Sequence, residues 1–109
     1  MHVVVVGCGR VGSGLAATLV EQGHTVSVID RKTTAFRRLP ENFSGDTIVG
    51  VGFDRTRLRA AGIERADALA AVTNGDNSNI LIARTAREFF HVDRVVARIY
   101  DQRRAAIYE

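Results

Sequence analysis

The run His2-Val3-Val4-Val5-Val6, followed by Gly7-Cys8-Gly9-Arg10-Val11-Gly12, decides the fold. Four consecutive valines mark a strand buried on both faces, as in the interior of a parallel sheet. The next six residues fit G-x-G-x-x-G. That pattern is weak alone, because glycines are common. It gains meaning from a buried strand before it and an amphipathic helix after it. From Arg10 to Gln22, Val11, Leu15, Leu19 and Val20 fall on one helical stripe, and Gly23 ends it. Each glycine then has a task. Gly7 permits the tight turn, Gly9 lets backbone N–H groups approach a pyrophosphate, and Gly12 lets the helix pack closely on the strand. The helix start offers unpaired N–H groups and the positive end of its dipole to phosphate. The bland alternative is a strand–helix turn with no ligand.

Outward from this turn, Thr25-Val26-Ser27-Val28-Ile29 reads as a second strand. It closes at Asp30, 23 residues after Gly7. An acid there accepts hydrogen bonds from ribose hydroxyls, or merely caps the next segment. Arg31 suits a 2′-phosphate, but Asp30 repels one. A nucleotide with free ribose hydroxyls, NAD or an adenine nucleotide, is therefore expected over NADP. Arg10 reaches phosphate or a neighbouring subunit, or is simply solvated. Cys8 reads as a small residue in a crowded turn rather than a redox group.

The alternation continues. Thr33 to Leu39 predicts a short helix ending before Pro40, and Thr47-Ile48-Val49 a third strand. Asp54 caps a helix through Leu58 and Ala61, which Gly62 closes. Ala68 to Val72 is a fourth strand, weak by propensity. The longest helix runs from Asp76 or Asn77 to Phe90, with an apolar stripe wider than one sheet contact needs. Arg94 to Ile99 is a fifth strand, and Asp101 opens a last helix to Glu109. The order βαβαβαβαβα predicts an α/β, Rossmann-like, doubly wound parallel sheet of five strands with helices on both faces.

Ligands in such sheets lie beyond the C-terminal ends of the strands. After the third strand, Val51 and Gly52 suggest a backbone that approaches a ligand closely, and Phe53 either flanks an adenine ring or plugs a gap. After the fourth, Thr73, Asn74 and Asn77 either bind ribose or phosphate or cap the long helix. Arg98, placed on the fifth strand, is expected to be a buried charge that needs an anionic partner.

Composition bounds the function. The chain has 109 residues, 25% of them charged and 46% hydrophobic, so one globular domain is expected over residues 1–109. A formal charge of +3 is too weak a signal for nucleic acid. One cysteine cannot build a disulfide framework or a cysteine-based zinc site. No apolar run approaches the roughly 18 residues of a membrane span. A cytoplasmic domain without a transmembrane segment is expected. No nucleophile with its base, no metal-ligand spacing and no paired histidine appears, so neither catalytic nor metal residues are assigned.

Gly7-Cys8-Gly9-Arg10-Val11-Gly12, Val28-Ile29-Asp30, Leu58-Arg59-Ala60-Ala61-Gly62-Ile63, Asp67-Ala68-Leu69-Ala70-Ala71-Val72-Thr73-Asn74 and Val96-Ala97-Arg98 occur in order. In this, the chain resembles the N-terminal nucleotide-binding domain, RCK or KTN, of Trk potassium-uptake regulatory proteins. The resemblance implies binding of NAD(H) or of ATP, ADP or AMP, and assembly of copies into a dimer or tetramer ring. It implies gating of a membrane potassium transporter or channel from the inner face of the membrane, without enzymatic activity. It assigns phosphate to Gly7, Gly9, Arg10 and Gly12, ribose to Asp30, the site wall to Thr73, and support to Arg98. The long helix's apolar face would pair subunits. A sixth strand and a linking helix would follow Glu109, making this chain a fragment. One departure stands out: the family's Gly-Asp-x-Thr/Ser after the third strand reads Gly50-Val51-Gly52-Phe53, so Val51 replaces the aspartate that can read an adenine amino group, and either backbone groups of Val51 to Phe53 substitute or base selectivity is looser. The alternative reading is the cofactor domain of an NAD-dependent dehydrogenase. A third is an oligomerisation module without a ligand.

Overall fold

The computed structural model describes residues 1–100. The five predicted strands are present: β1 (His2–Val6), β2 (Thr25–Asp30), β3 (Asp46–Val49), β4 (Ala68–Ala71) and β5 (Arg94–Ala97). All neighbours pair in parallel, in the order β3-β2-β1-β4-β5. β1 is central, which is why its valines are almost wholly hidden.

Strand alternation sends the β1 side chains into two cores. Val3 and Val5 join Val26, Val28, Ala70 and Ala16 on one face, under α1 (Arg10–Glu21). Val4 and Val6 join Ile29, Leu58, Leu69 and Ile82 on the other. That second face is covered by α2 (Arg55–Ala60) and α3 (Asp76–Arg84). Asp54 caps α2 as expected, its carboxylate accepting from the N–H groups of Thr56 at 2.9 Å and Arg57 at 3.4 Å.

Three expectations need correction. Thr33–Arg38 forms a 3₁₀ helix rather than an α-helix, and a second 3₁₀ turn spans Ile63–Arg65. The long helix does not run on to Phe90 as α-helix. After Arg84 it widens into a π turn over Thr85–Phe89, where the Phe90 N–H donates to the Thr85 carbonyl at 3.2 Å. The extra residue per turn swings Phe89 out of the apolar stripe and leaves it 41% exposed beneath the Arg55 guanidinium. Ile80, Ile82, Ala83 and Ala86 are buried within the domain, so much of the supposedly surplus face is core. Finally, β5 ends at Ala97, and Arg98 is an exposed residue beyond it rather than a buried charge. The last predicted helix lies outside the described residues.

β1 connects outward to β2 on one side while β4 lies on its other side. The chain thus reverses direction across the sheet between β1 and β4. A crevice opens at that point, beyond the strands' C-terminal ends.

Candidate nucleotide-binding cleft

The glycine turn bridges β1 and α1. Gly7 has φ +106°, and a Cβ there would meet the backbone of Val72 and Thr73 at 2.9 Å. Only glycine combines that backbone with that approach. Gly12 lies directly under the turn, where a Cβ would run into the Gly7 carbonyl oxygen. Gly9 is the opposite case: a Cβ would meet nothing within 4 Å. The open space lies at the N-cap of α1, which has no side-chain cap and no acid in its first turn. Such an end satisfies its N–H groups with solvent or with a bound anion.

Asp30 faces this turn from the end of β2. Its carboxylate accepts from the Cys8 N–H at 2.8 Å and the Lys32 N–H at 2.9 Å. A carboxylate has about four acceptor positions, so two amides leave room for hydroxyl donors. Burial, and after it the Asp30 charge, push the buried Cys8 thiol above its ordinary range, although Arg38 pulls the other way. Cys8 is thus a packed thiol, not a thiolate nucleophile.

The wall after β4 is held by Asn79, which is fully buried. Its Oδ1 accepts from the Thr73 N–H at 2.9 Å and the Thr73 hydroxyl at 2.6 Å. Its amide donates to the Thr73 carbonyl at 3.0 Å and the Arg98 carbonyl at 2.8 Å. All four of its bonding positions are used. The Thr73 hydroxyl proton is thereby turned toward Asn79.

Together these segments enclose a cleft of about 820 Å³, within the size range of small-ligand pockets. Of the residues singled out in the sequence, Gly7, Gly9, Asp30, Arg31, Val51, Gly52, Phe53, Thr73 and Asn74 line it. Five do not. Gly12 is buried beneath the turn, and Val11 and Asn77 are exposed to one side. Arg10 borders a shallower groove along α1, shared with Arg38. Arg98 stacks its guanidinium 4.3 Å from the Tyr100 ring centre. Its main chain, not its side chain, ties it to the wall. Sequence reading missed Lys32, Thr34, Arg38, Ser78 and Ile82, which also line the cleft. Lys32 and Arg38 carried no motif; the one directly precedes and the other ends the 3₁₀ segment, and both line the cleft. Asn79 gave no signal either, being one more polar residue early in a helix.

Residues 3–109 match the family model described as the TrkA-N domain. The chain is 62% identical over all 109 residues to the Trk system potassium uptake protein TrkA of Streptomyces coelicolor, covering 49% of that protein. It is 34% identical over the same length to a Trk system potassium uptake protein TrkA homolog of Pyrococcus abyssi, covering 48% of it. The chain therefore spans about half the length of the curated relatives it matches. Among solved structures, the Kef CTD of Shewanella denitrificans in its AMP-bound form superposes with a TM-score of 0.83 at 24% identity, over 99% of this chain and 65% of that one. The GsuK RCK domain superposes at 0.71 with 28% identity, over 87% of this chain and 20% of that one.

Proposed function

This chain belongs to the TrkA-N domain family, and from that premise we propose that it is the regulatory nucleotide-binding domain of a potassium-uptake system. Its cleft takes NAD(H) or an adenine nucleotide (ATP, ADP or AMP). It is not itself an enzyme. One observation carries this reading: the uncapped start of α1, the open space at Gly9 and the Asp30 carboxylate all border one crevice at the chain reversal. The amide groups at the start of α1 would hold phosphate, and Asp30 would hold ribose hydroxyls. Val51 and Phe53 would pack the base without a side-chain carboxylate.

The regulatory reading is supported further by the cleft's chemistry. Among the described residues lining it, Asp30 is the one carboxylate, and there is no histidine. Asp30 is already bonded to two amides. Nothing else there is arranged to move a proton to or from a substrate. A bound nucleotide instead ties the β1, β2 and β4 ends together. It shifts the protein between states to the extent that it binds them unequally.

The partner is a membrane potassium transporter or channel subunit, contacted at the cytoplasmic face of the membrane by a dimer or tetramer ring of copies. The Trk names of the sequence relatives support this, and no helix among the described residues is long and apolar enough to cross a membrane.

Gly9→Leu tests the regulatory reading. The new side chain enters open space, so the fold should survive while the phosphate position is filled. In cells that depend on this protein for potassium uptake, the variant should accumulate normally and uptake should stop responding to the nucleotide pool. Uptake that still responds as in wild type would refute the proposal.

A further inference from the structure

Arg10 and Glu21 stand at opposite ends of α1, each at the end its own helix disfavours. Arg10 is the first residue, beside the positive end of the helix dipole, and Glu21 is the last, beside the negative end. The first turn holds no acid and the last turn no base to compensate them. Both residues are exposed, and the ion pairs among the described residues, Arg59–Glu64 and Arg84–Glu88, involve neither.

The two also share a face. Arg10, Gly14, Ala17 and Glu21 follow one another at intervals of four, three and four, which makes one stripe of an α-helix. All four line the shallow groove beside α1, together with Arg38 and Pro40. The described chain leaves this face open: a Cβ at Gly14 would meet no atom within 4 Å. Val11, 42% exposed, adds apolar surface next to Arg10.

Turned end for end, the stripe presents the opposite charge at each position. Its midpoint lies between Gly14 and Ala17, with Arg10 and Glu21 each about 8 Å from it along the axis. A second α1 laid antiparallel across the first, on a two-fold axis through that midpoint, sets Arg10 of each copy opposite Glu21 of the other. It also brings the start of each helix beside the end of the other, so both charges meet the dipole end they lack. Gly14 and Ala17 fall at the crossing, where small side chains let two helix axes approach to about 8 Å. A parallel copy would set like charges side by side.

We propose that this face of α1 is a self-association surface whose occupant is a second copy of this chain, in an antiparallel, isologous contact. The proposal goes beyond the nucleotide reading and does not depend on it. A partner of one charge would match one end of the stripe and clash with the other, whereas an antiparallel copy answers both. The pairs are exposed, so added salt should weaken the contact.

Sedimentation equilibrium of the protein tests this with two charge reversals, Arg10→Glu and Glu21→Arg. Either reversed protein, alone, sets like charges across the two-fold axis, and its self-association should weaken by at least about tenfold. Mixed in equal amounts, the two reversed proteins regain both opposite pairs and should associate with each other about as tightly as wild type. Glu21 does not line the cleft, so the Glu21→Arg protein should keep the nucleotide response of wild type, and a failure of the cleft reading would leave the charge dependence of association intact. Wild type that stays monomeric at every concentration reached, reversed proteins that each associate as wild type does, or a mixture that associates no better than its components would each overturn the proposal.

Discussion

At the scale of single residues, Cys8 is fixed by two demands. It must be small enough for the glycine turn, and its N–H must reach Asp30 at 2.8 Å. Its side chain is buried as a neutral thiol, with its pKa raised by burial first and the Asp30 charge second. An unfolded thiol titrates near pH 8.5. The raised folded value means the native state keeps its proton where the unfolded state loses it. Stability from this group is therefore complete below about pH 8.5 and is lost as pH rises toward the folded value. Urea midpoints measured between about pH 7 and about pH 10 should fall more steeply for wild type than for Cys8→Ala. Parallel curves would show that the thiol does not sense its burial. Gly7 and Gly12 were legible from their spacing, because the positive φ of Gly7 and the packing of Gly12 under the Gly7 carbonyl are local, although the approach of Val72 and Thr73 to Gly7 is not. Arg98 was not: β5 stops one residue short of it, and a residue beyond an edge strand has solvent available to its charge.

Among the elements, the segment between β4 and α3 depends most on one side chain. Asn79→Ala would leave the Thr73 N–H, the Thr73 carbonyl and the Arg98 carbonyl without their present partner. Such losses cost about 1 kcal/mol per bond, and more where a group stays buried. The variant should lose about 2–4 kcal/mol in urea denaturation, and its amide exchange should rise around Thr73. A loss under about 1 kcal/mol would mean that water replaces Asn79. This element also shows what sequence could not reveal. Most strand and helix positions followed from β-branched runs and apolar stripes, which are local signals; β4, weak by propensity, followed from its place in the alternation. The sheet order β3-β2-β1-β4-β5 and the π turn at Thr85–Phe89 depend on contacts between distant segments. So does the placing of Lys32 and Arg38 on the cleft lining. Thr73 was legible as a candidate wall residue, but the asparagine that orients it six positions later was not.

Over the whole molecule, the cleft is set by where the sheet reverses. β1 and β4 are adjacent, so the turn after one meets the loop after the other. Gly7 touches Thr73 for that reason, and β2 brings Asp30 alongside. The resulting cleft, with an uncapped helix start at one side and the Asp30 carboxylate at another, is the part of the fold with no evident structural purpose of its own. The central claim is that it binds a nucleotide. Thermal denaturation with NADH, NAD, ATP, ADP and AMP, in wild type and in Gly9→Leu, tests this most directly. A ligand present at about 100 times its dissociation constant should add about 2.7 kcal/mol, a rise on the order of 10 °C for a domain of this size. Wild type should show that rise with at least one nucleotide, and Gly9→Leu should melt at its own temperature with or without it. No shift with any nucleotide, or an equal shift in the variant, would contradict the account.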